Sequence, residues 1–406
     1  MAFAAAHRAD ISQSGETVRR VFGVSGSGMS LVIQMPIVLF VCLAAFAGHT
    51  RAQAPIELRQ ADLLRIEQGP AGPIRYLDGN VWIVQDTLSI TGDHAIYDET
   101  AGTILFSGNV HFKEPTRQFW ADQATYYELD GRATGDGNVR IEQDSVEIFC
   151  DRAVYHEARR EVNLVGRVRL NSQRENARLT GNLGTYNRET ERGAMTQNPQ
   201  LVRYFSERDS MVVTGRVIEY YFNSQEAIVT DSVHLQRNDF DAWGQRLVYK
   251  DEGEWAQLTG DPVLKRSRDV MQADTVEAFF EDERINRVVL LGRAQAAAPV
   301  DSLLPEPVNR ATGRRMELTF KGSEIDSLYI QGNAASLYYL REREGSEGAN
   351  LVSGDRIKLW MQEGKVRWIS VEGGTEGTYY PWQFEKIISA SEQGAAVAPR
   401  PMRAED

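Results

Sequence analysis

The stretch "LFSGNVHF", Leu105–Phe112, is repeated with small changes at a fixed interval along the chain. Its Gly-Asn-Val step also occurs in "YLDGNVWI" and "TGDGNVRI", and the glycines at Gly79, Gly108, Gly137 and Gly166 are each 29 residues apart. A period of this length indicates a supersecondary unit that buries its apolar face only by stacking on copies of itself. The sequence therefore predicts a repeat architecture.

A second phrase, Asp-x-Ala-x-Tyr, closes each unit. It appears as "GDHAIY", "ADQATY" and "CDRAVY", so that Tyr97, Tyr126 and Tyr155 are also 29 residues apart, and looser copies end at Tyr186, Tyr220 and Tyr249. Within a unit the apolar residues alternate with a period of two, which indicates strands. Because 29 is odd, an unbroken strand would turn its apolar face outward in every second unit. A turn or bulge must therefore reset the alternation once per unit, and we expect the Gly-Asn-Val step to be a turn.

These patterns predict an all-β fold, with two or three short strands per unit. Two architectures fit: an elongated β-jellyroll of two antiparallel sheets, or a parallel β-helix, whose rungs are shorter and more regular. The tyrosine-ended phrases and the polar, hairpin-like turns favour the jellyroll. No stretch after residue 62 has helical periodicity over the length of a helix.

The alternation places large apolar side chains on one side of the predicted strands, and we expect this side to form the core. In the three best-preserved units and the strands beside them, these inward residues are Val81, Ile83, Leu88, Ile90, Ile104, Phe106, Val110, Phe112, Phe119, Val139, Ile141, Val146, Ile148, Leu164, Val168 and Leu170.

The first 54 residues are typical of an export signal. A basic pair, Arg19 and Arg20, precedes an apolar stretch, and "RAQA" ends in the small residue Ala54. We predict a secretory signal peptide over 1–54, with an uncleaved membrane anchor as the alternative.

The remaining chain divides by composition. Repeats fill residues 55–293, and the Ala/Pro-rich stretch at 294–310 is predicted to be a linker. Alternation resumes over 311–388, which we interpret as further strands of the same kind or a capping module. Residues 389–406 are too poor in large apolar side chains to fold, which predicts a disordered tail.

Composition and motifs weigh against several functions. The net charge of −12 disfavours a nucleic-acid partner. Outside the predicted signal Cys150 is the one cysteine, so it has no internal disulfide partner. Asp93, Asp122 and Asp151 recur singly and are expected to make turn hydrogen bonds rather than bind a metal. We find no nucleophile elbow and no metal-binding spacing, and we predict no catalytic residues, no metal and no cofactor.

The phrase "GDHAIYDETAGTILFSGNVHF", at 92–112, and its copies resemble the OstA-like family of periplasmic β-jellyrolls in lipopolysaccharide transport. The LptA-like bridge proteins and the N-terminal domain of LptD belong to that family. The resemblance is strong over 58–293 and looser over 311–382. Several copies in phase, with Asp-x-Ala-x-Tyr between them, make it specific.

The resemblance implies a function. The inward residues would line an apolar trough that shelters the acyl chains of lipopolysaccharide, and the chain would be periplasmic or associated with the outer membrane. Its end strands would pair with LptC-like or LptD-like jellyrolls, or with copies of itself. The alternatives are a structural or adhesive β-solenoid rod that binds no lipid, and a carbohydrate-active β-helix enzyme.

Overall fold

The computed structural model describes residues 57–381, apart from 71, 86, 144, 174–175, 188, 207–208, 222, 225, 251–254, 282–283, 301–307, 322–323, 342–346 and 363–364. The predicted signal at 1–54 and tail at 389–406 lie outside the described residues. In the part of the chain that is described, the regular structure consists of strands, and no helix has the length and apolar character needed to cross a bilayer.

The strands follow one another with short connections. The first ten are β1 (Glu57–Gln60), β2 (Leu63–Gln68), β3 (Pro73–Gln85), β4 (Leu88–Asp98), β5 (Thr103–Glu114), β6 (Arg117–Tyr127), β7 (Arg132–Gln143), β8 (Val146–His156), β9 (Glu161–Ser172) and β10 (Ala177–Asn187). The next ten are β11 (Arg192–Thr196), β12 (Gln200–Ser206), β13 (Asp209–Thr214), β14 (Val217–Tyr221), β15 (Glu226–Arg237), β16 (Phe240–Lys250), β17 (Trp255–Thr259), β18 (Val263–Arg266), β19 (Asp269–Gln272) and β20 (Thr275–Glu281). The last are β21 (Arg284–Pro299), β22 (Val308–Lys321), β23 (Glu324–Arg341), β24 (Glu347–Gln362), β25 (Lys365–Glu372) and β26 (Glu376–Pro381).

All of these strands belong to one antiparallel sheet. From β3 to β10 each strand pairs with the next, so that one 29-residue unit supplies two long strands. The prediction of an all-β, antiparallel fold is confirmed. The parallel β-helix alternative is wrong, because the pairings among the described strands are antiparallel.

The sheet is folded over along a line that crosses every strand. Phe106 and Phe112 belong to the same strand, β5, yet their ring centroids are 5.8 Å apart. In an extended strand these two positions would be roughly 20 Å apart. The strand therefore bends sharply between them, and the two halves of the sheet face each other. We call them the tyrosine arm, which carries Tyr97, Tyr126 and Tyr155, and the phenylalanine arm, which carries Phe112 and Phe119.

The bend is made by the Gly-Asn step, which is a bulge inside a continuous strand. The prediction that this step is a turn is therefore wrong. Between β4 and β5 the register jumps from Thr91 opposite His111 to His94 opposite Ser107, so β5 contributes one residue more than β4. In the bulge, Gly108 and Asn109 both have positive φ, at 75° and 46°. Glycine and asparagine tolerate this left-handed conformation better than other residues.

One reset of the alternation per unit is confirmed, but it lies on the other strand of the unit. In β5 the buried positions Phe106 and Val110 are an even interval apart, so the Gly-Asn bulge leaves the alternation in phase. In β4 the buried positions Ile90 and Ala95 are an odd interval apart, and the phase changes at Asp93. The Asp-x-Ala-x-Tyr phrase therefore carries the reset.

The aspartates join neighbouring strands at the bend. Asn109 donates a hydrogen bond through Nδ2 to Asp93 Oδ2 at 2.9 Å, and Asn138 donates in the same way to Asp122 at 2.9 Å. The expected turn hydrogen bonds of these aspartates are therefore bonds to the bulge of the next strand. A Cβ on Gly108 would lie 2.3 Å from Asp93 Oδ2, so this contact excludes any side chain there. The Asp-x-Ala-x-Tyr phrase of one strand and the Gly-Asn-Val phrase of the next thus meet in one hydrogen-bonded contact at the bend. We call this contact the joint.

Farther along the chain several strands are split at the bend, and each half stays in its own arm. The splits fall between β11 and β12, β13 and β14, β17 and β18, and β19 and β20. The linker prediction at 294–310 is wrong for its two ends, because Ala294–Pro299 lie in β21 and Val308–Arg310 lie in β22. Strands β22–β26 continue the same sheet.

Candidate functional site

The two arms enclose a long continuous apolar cluster, and Leu337, Tyr339 and Ala349 form a second, smaller one. All of the inward residues predicted from the alternation belong to the long cluster: Ile83 and Ile104 are partly buried, and the others are buried. Small residues between them, such as Ala121, Ala133 and Cys150, were not predicted from the alternation but are also buried in the cluster. The structure therefore brings the predicted set together on the facing surfaces of the arms.

Aromatic rings close the interior in the best-preserved units. Phe112 packs between Phe106 and Phe119, with centroid distances of 5.8 Å and 5.4 Å. Phe119 also reaches the opposite arm, where Gly135 has no room for a side chain, since a Cβ there would be 2.4 Å from Phe119 Cζ. A void of about 10 Å³ remains, lined by Ile104, Phe106, Phe112 and Tyr126 among others. A single water needs ~10–15 Å³, so a hydrocarbon chain enters here only when the arms part.

The interior is open to solvent at the N-terminal end. The first strand is split into β1 and β2, one in each arm, and pairs with β3 alone among the described strands. The inward side chains of these half-strands, Leu58, Leu64 and Ile66, are 45%, 51% and 60% exposed. They stand opposite Ile83, Leu77 and Arg75. The sequence analysis missed these residues because they lie outside the first Gly-Asn phrase.

The C-terminal end is also a split strand, with its inward face better covered. β25 and β26 both pair with β24, and the inward residues Ile369 and Val371 are half-buried. Trp368 and Tyr379 are exposed at this end, and Trp368 stacks edge-on against Trp360 with centroids 4.1 Å apart. In the described part of the chain, both ends of the sheet therefore present strand edges together with exposed apolar side chains.

Three tyrosines line the mouth, which is the side of the trough opposite the bend. Tyr97, Tyr126 and Tyr155 fall in one cross-strand row, with Ile104 and Ala133 between them. Burial raises the pKa of Tyr126 above its usual value, and the neighbouring carboxylates of Glu157 and Glu128 raise it further. The hydroxyl of Tyr126 is therefore neutral at physiological pH, and the rings of the three tyrosines close the mouth.

The outer surface of the phenylalanine arm carries a polar and aromatic row. His111 stacks on Trp120 with centroids 4.8 Å apart, and the Arg140 guanidinium lies 4.8 Å from the Trp120 centroid. Arg140 also forms ion pairs with Glu142 at 3.0 Å and Glu147 at 2.8 Å. This row ties four strands together on the outside and faces away from the trough. Among the described residues no cluster of His, Cys, Asp and Glu has the geometry of a metal site.

Cys150 lies in the apolar interior between the arms, and its thiol has low reactivity. It is buried opposite Val139, and burial raises the pKa of its thiol to about 12. The thiolate is the reactive form of cysteine, so this side chain behaves as a small apolar core residue. The interior around Cys150 is therefore apolar.

Comparison with known proteins finds a family model and a similar solved structure. Residues 118–284 match the family model described as LptA/(LptD N-terminal domain) LPS transport protein, which confirms the resemblance to the OstA-like and LptA-like family. One similar solved structure is LptH, the LptA homologous periplasmic component of the conserved lipopolysaccharide transport device from Pseudomonas aeruginosa. It is 18% identical, with 28% of this chain and 83% of that chain covered and a TM-score of 0.24. No curated protein matches this chain.

Proposed function

We propose that this protein is a bridge component that carries lipopolysaccharide through the periplasm, because its repeats resemble those of the OstA-like and LptA-like family. The acyl chains lie in the trough between the arms, in contact with the inward residues, and no covalent chemistry takes place. The observation that carries the proposal is the continuous apolar interior whose N-terminal end is open, with Leu58, Leu64 and Ile66 exposed.

The length of the sheet suits a bridge. Between residues 57 and 381 the described strands fill twenty positions in the sheet when each of the six split strands is counted once. At ~4.8 Å between neighbouring strands, the trough is roughly 90 Å long. One molecule would therefore cover a path several times longer than an acyl chain.

The energetics favour reversible carriage. Burying a twelve-carbon chain is worth about 9 kcal/mol at ~0.8 kcal/mol per CH₂ group. The arms already bury the same faces against each other, because Phe106, Phe112 and Phe119 are almost fully covered. A guest thus replaces contacts of similar worth, and the net affinity is a small difference. Such a trough accepts lipid and passes it on.

The ends supply contacts to partners. The outer edges of β1 and β2, and of β25 and β26, carry backbone groups that pair with nothing in the described part of the chain. An exposed edge of this kind accepts the strand of another protein. LptC-like or LptD-like jellyrolls, or a second copy of this chain, would extend both the sheet and the trough.

Two adjacent leucines give a direct test of the open end. Leu63 and Leu64 are 55% and 51% exposed, but Leu64 faces the trough and Leu63 faces outward beside Asp78. Leu64→Glu is expected to weaken binding of purified lipopolysaccharide in titration calorimetry, whereas Leu63→Glu leaves it unchanged. Equal effects of the two substitutions would show that the open end is not part of the binding surface.

The tight interior favours a second candidate, a structural rod without lipid. Its specific support is the aromatic packing that leaves about 10 Å³ free. If the protein is such a rod, the folded wild-type protein should bind no lipopolysaccharide at any concentration. Saturable binding contradicts it.

A further inference from the structure

A polar cluster lies directly above the aromatic layer of the trough. Glu114, Arg117 and Gln143 are cross-strand partners on the phenylalanine arm. Each lies two residues beyond an inward core position, Phe112, Phe119 or Ile141, on the side of the mouth. Because side chains two apart share a face, the three point inward. We call these three residues the rim cluster.

The rim cluster is largely buried and incompletely hydrogen-bonded. The side chains of Arg117 and Glu114 are 20% and 15% exposed, and Arg117 Nε lies 2.9 Å from Glu114 Oε2. Two further atoms of the cluster, Arg117 Nη1 and Gln143 Oε1, are buried and have no hydrogen-bond partner. A buried polar group without a hydrogen-bond partner destabilises the fold. The cluster therefore contains one donor and one acceptor that lack hydrogen-bond partners, on adjacent strands.

Two other arginines with unpaired buried nitrogens are in a different setting. Arg132 and Arg140 each have a buried Nε without a partner, but their guanidinium groups lie over the rings of Tyr127 and Trp120. Both belong to outward rows of the sheet. In the rim cluster the polar atoms without partners belong to residues that face the trough, where a lipid ligand would lie.

The chemistry of the pair selects the kind of group that it would bind. Glu114 balances the charge of Arg117 and repels a phosphate or carboxylate placed beside it. The free atoms are one N–H donor and one amide oxygen acceptor. A neutral group that both accepts and donates satisfies both, and hydroxyl and amide groups have this property.

We propose that the rim cluster recognises a hydroxyl or amide group close to the head of an acyl chain lying in the trough. This proposal rests on the proposed function and refines it. The chain packs on Phe112 and Phe119, its polar group accepts a hydrogen bond from Arg117 Nη1, and it donates one to Gln143 Oε1. Hydroxylated and amide-linked chains are thereby preferred over plain ones.

Paired amphiphiles test the preference. Binding of methyl tetradecanoate, methyl 3-hydroxytetradecanoate and N-methyltetradecanamide, none of which carries a charge, to the full-length protein is measured by titration calorimetry. The wild-type protein is expected to bind at least one of the latter two about tenfold more tightly than the plain ester, as one well-formed hydrogen bond predicts. Tighter binding of the hydroxylated probe would identify a hydroxyl as the recognised group, and tighter binding of the amide probe would identify an amide.

Substitutions then locate the effect. Gln143→Leu and Arg117→Met are expected to bring the affinity ratio to about one while the plain, uncharged ester binds as before. Arg169→Met, an exposed outward position beside Phe149, keeps the wild-type ratio. Thermal unfolding of each variant confirms that it is folded, and Gln143→Leu provides the reading if Arg117→Met does not fold.

The outcomes separate this proposal from the function on which it rests. A wild-type protein that binds all three probes equally, or variants that keep the wild-type ratio, would overturn recognition by the rim cluster and leave lipid carriage intact. A wild-type protein that binds none of the probes and no lipopolysaccharide would overturn both.

Discussion

Replacing Gly108 by alanine should weaken the bend of the sheet by a calculable amount. The backbone at this position has a φ of 75°, and holding an alanine there costs about 1–2 kcal/mol. The new Cβ would lie 2.3 Å from Asp93 Oδ2, so the carboxylate must move. Asp93 then loses its 2.9 Å hydrogen bond from Asn109, worth about 0.5–1.5 kcal/mol. The expected loss of stability is about 2–3 kcal/mol.

The matched control is Gly92→Ala, one strand away. Gly92 has no positive φ, and the nearest atom to its Cβ would be the Gly108 carbonyl oxygen at an ordinary 3.5 Å. Urea unfolding followed by tryptophan fluorescence gives the global change, and hydrogen exchange of the β4 and β5 amides gives the local one. In an Asp93→Gly background, which also removes the Asp93 Cβ that would lie 2.8 Å from the new side chain, the cost of Gly108→Ala should fall to the backbone term alone. If Gly108→Ala is no more destabilising than Gly92→Ala, the joint does not hold the bend.

Three further outcomes follow from the packing and charges. Phe119→Ala removes a fully buried ring and should cost about 3–5 kcal/mol in urea unfolding, whereas Leu129→Ala, at an 83% exposed position, should change stability by less than about 0.5 kcal/mol. Cys150 should resist alkylation at pH 8 in the folded protein, because burial raises its pKa to about 12; peptide mapping that finds it labelled as fast as in urea would contradict the packed interior. Hydrogen bonding from Arg237 lowers the pKa of Asp209, so this pair stabilises the fold above the unfolded carboxylate pKa and the effect is lost as pH falls through the lower folded value. Asp209→Asn should therefore reduce the acid-induced fall in melting temperature, and an unchanged pH profile would show that the pair contributes nothing.

The repeat period and the alternation were enough to predict the arms and their core. Residues such as Phe112 and Ile148 alternate with polar neighbours, and this pattern is legible because each strand buries one face. The Gly-Asn step was misread because positive φ suits a turn and a bulge equally well. What decides between them is pairing with the next strand, through Asp93, which lies far away in sequence.

Other features could not be predicted from local sequence for related reasons. Ala294–Pro299 has the composition of a linker but forms a strand because β22 pairs with it. The open end depends on Leu58, Leu64 and Ile66 lying on the last strand of the described sheet, which is a property of the assembled fold. Arg117 and Gln143 are polar residues at strand ends, a pattern typical of solvent-facing turns, and their burial arises only when the arms close.

Photo-crosslinking in living cells tests the central claim, an interior occupied by lipid, most directly. A photoreactive residue is placed at Ile83, Phe112 or Ile148, all facing the trough, and at Glu147 as an outward control bonded to Arg140. The account predicts lipopolysaccharide adducts at the three inward positions and none at Glu147. Normal expression with no adduct at any inward position would contradict it and leave the rigid rod as the better description.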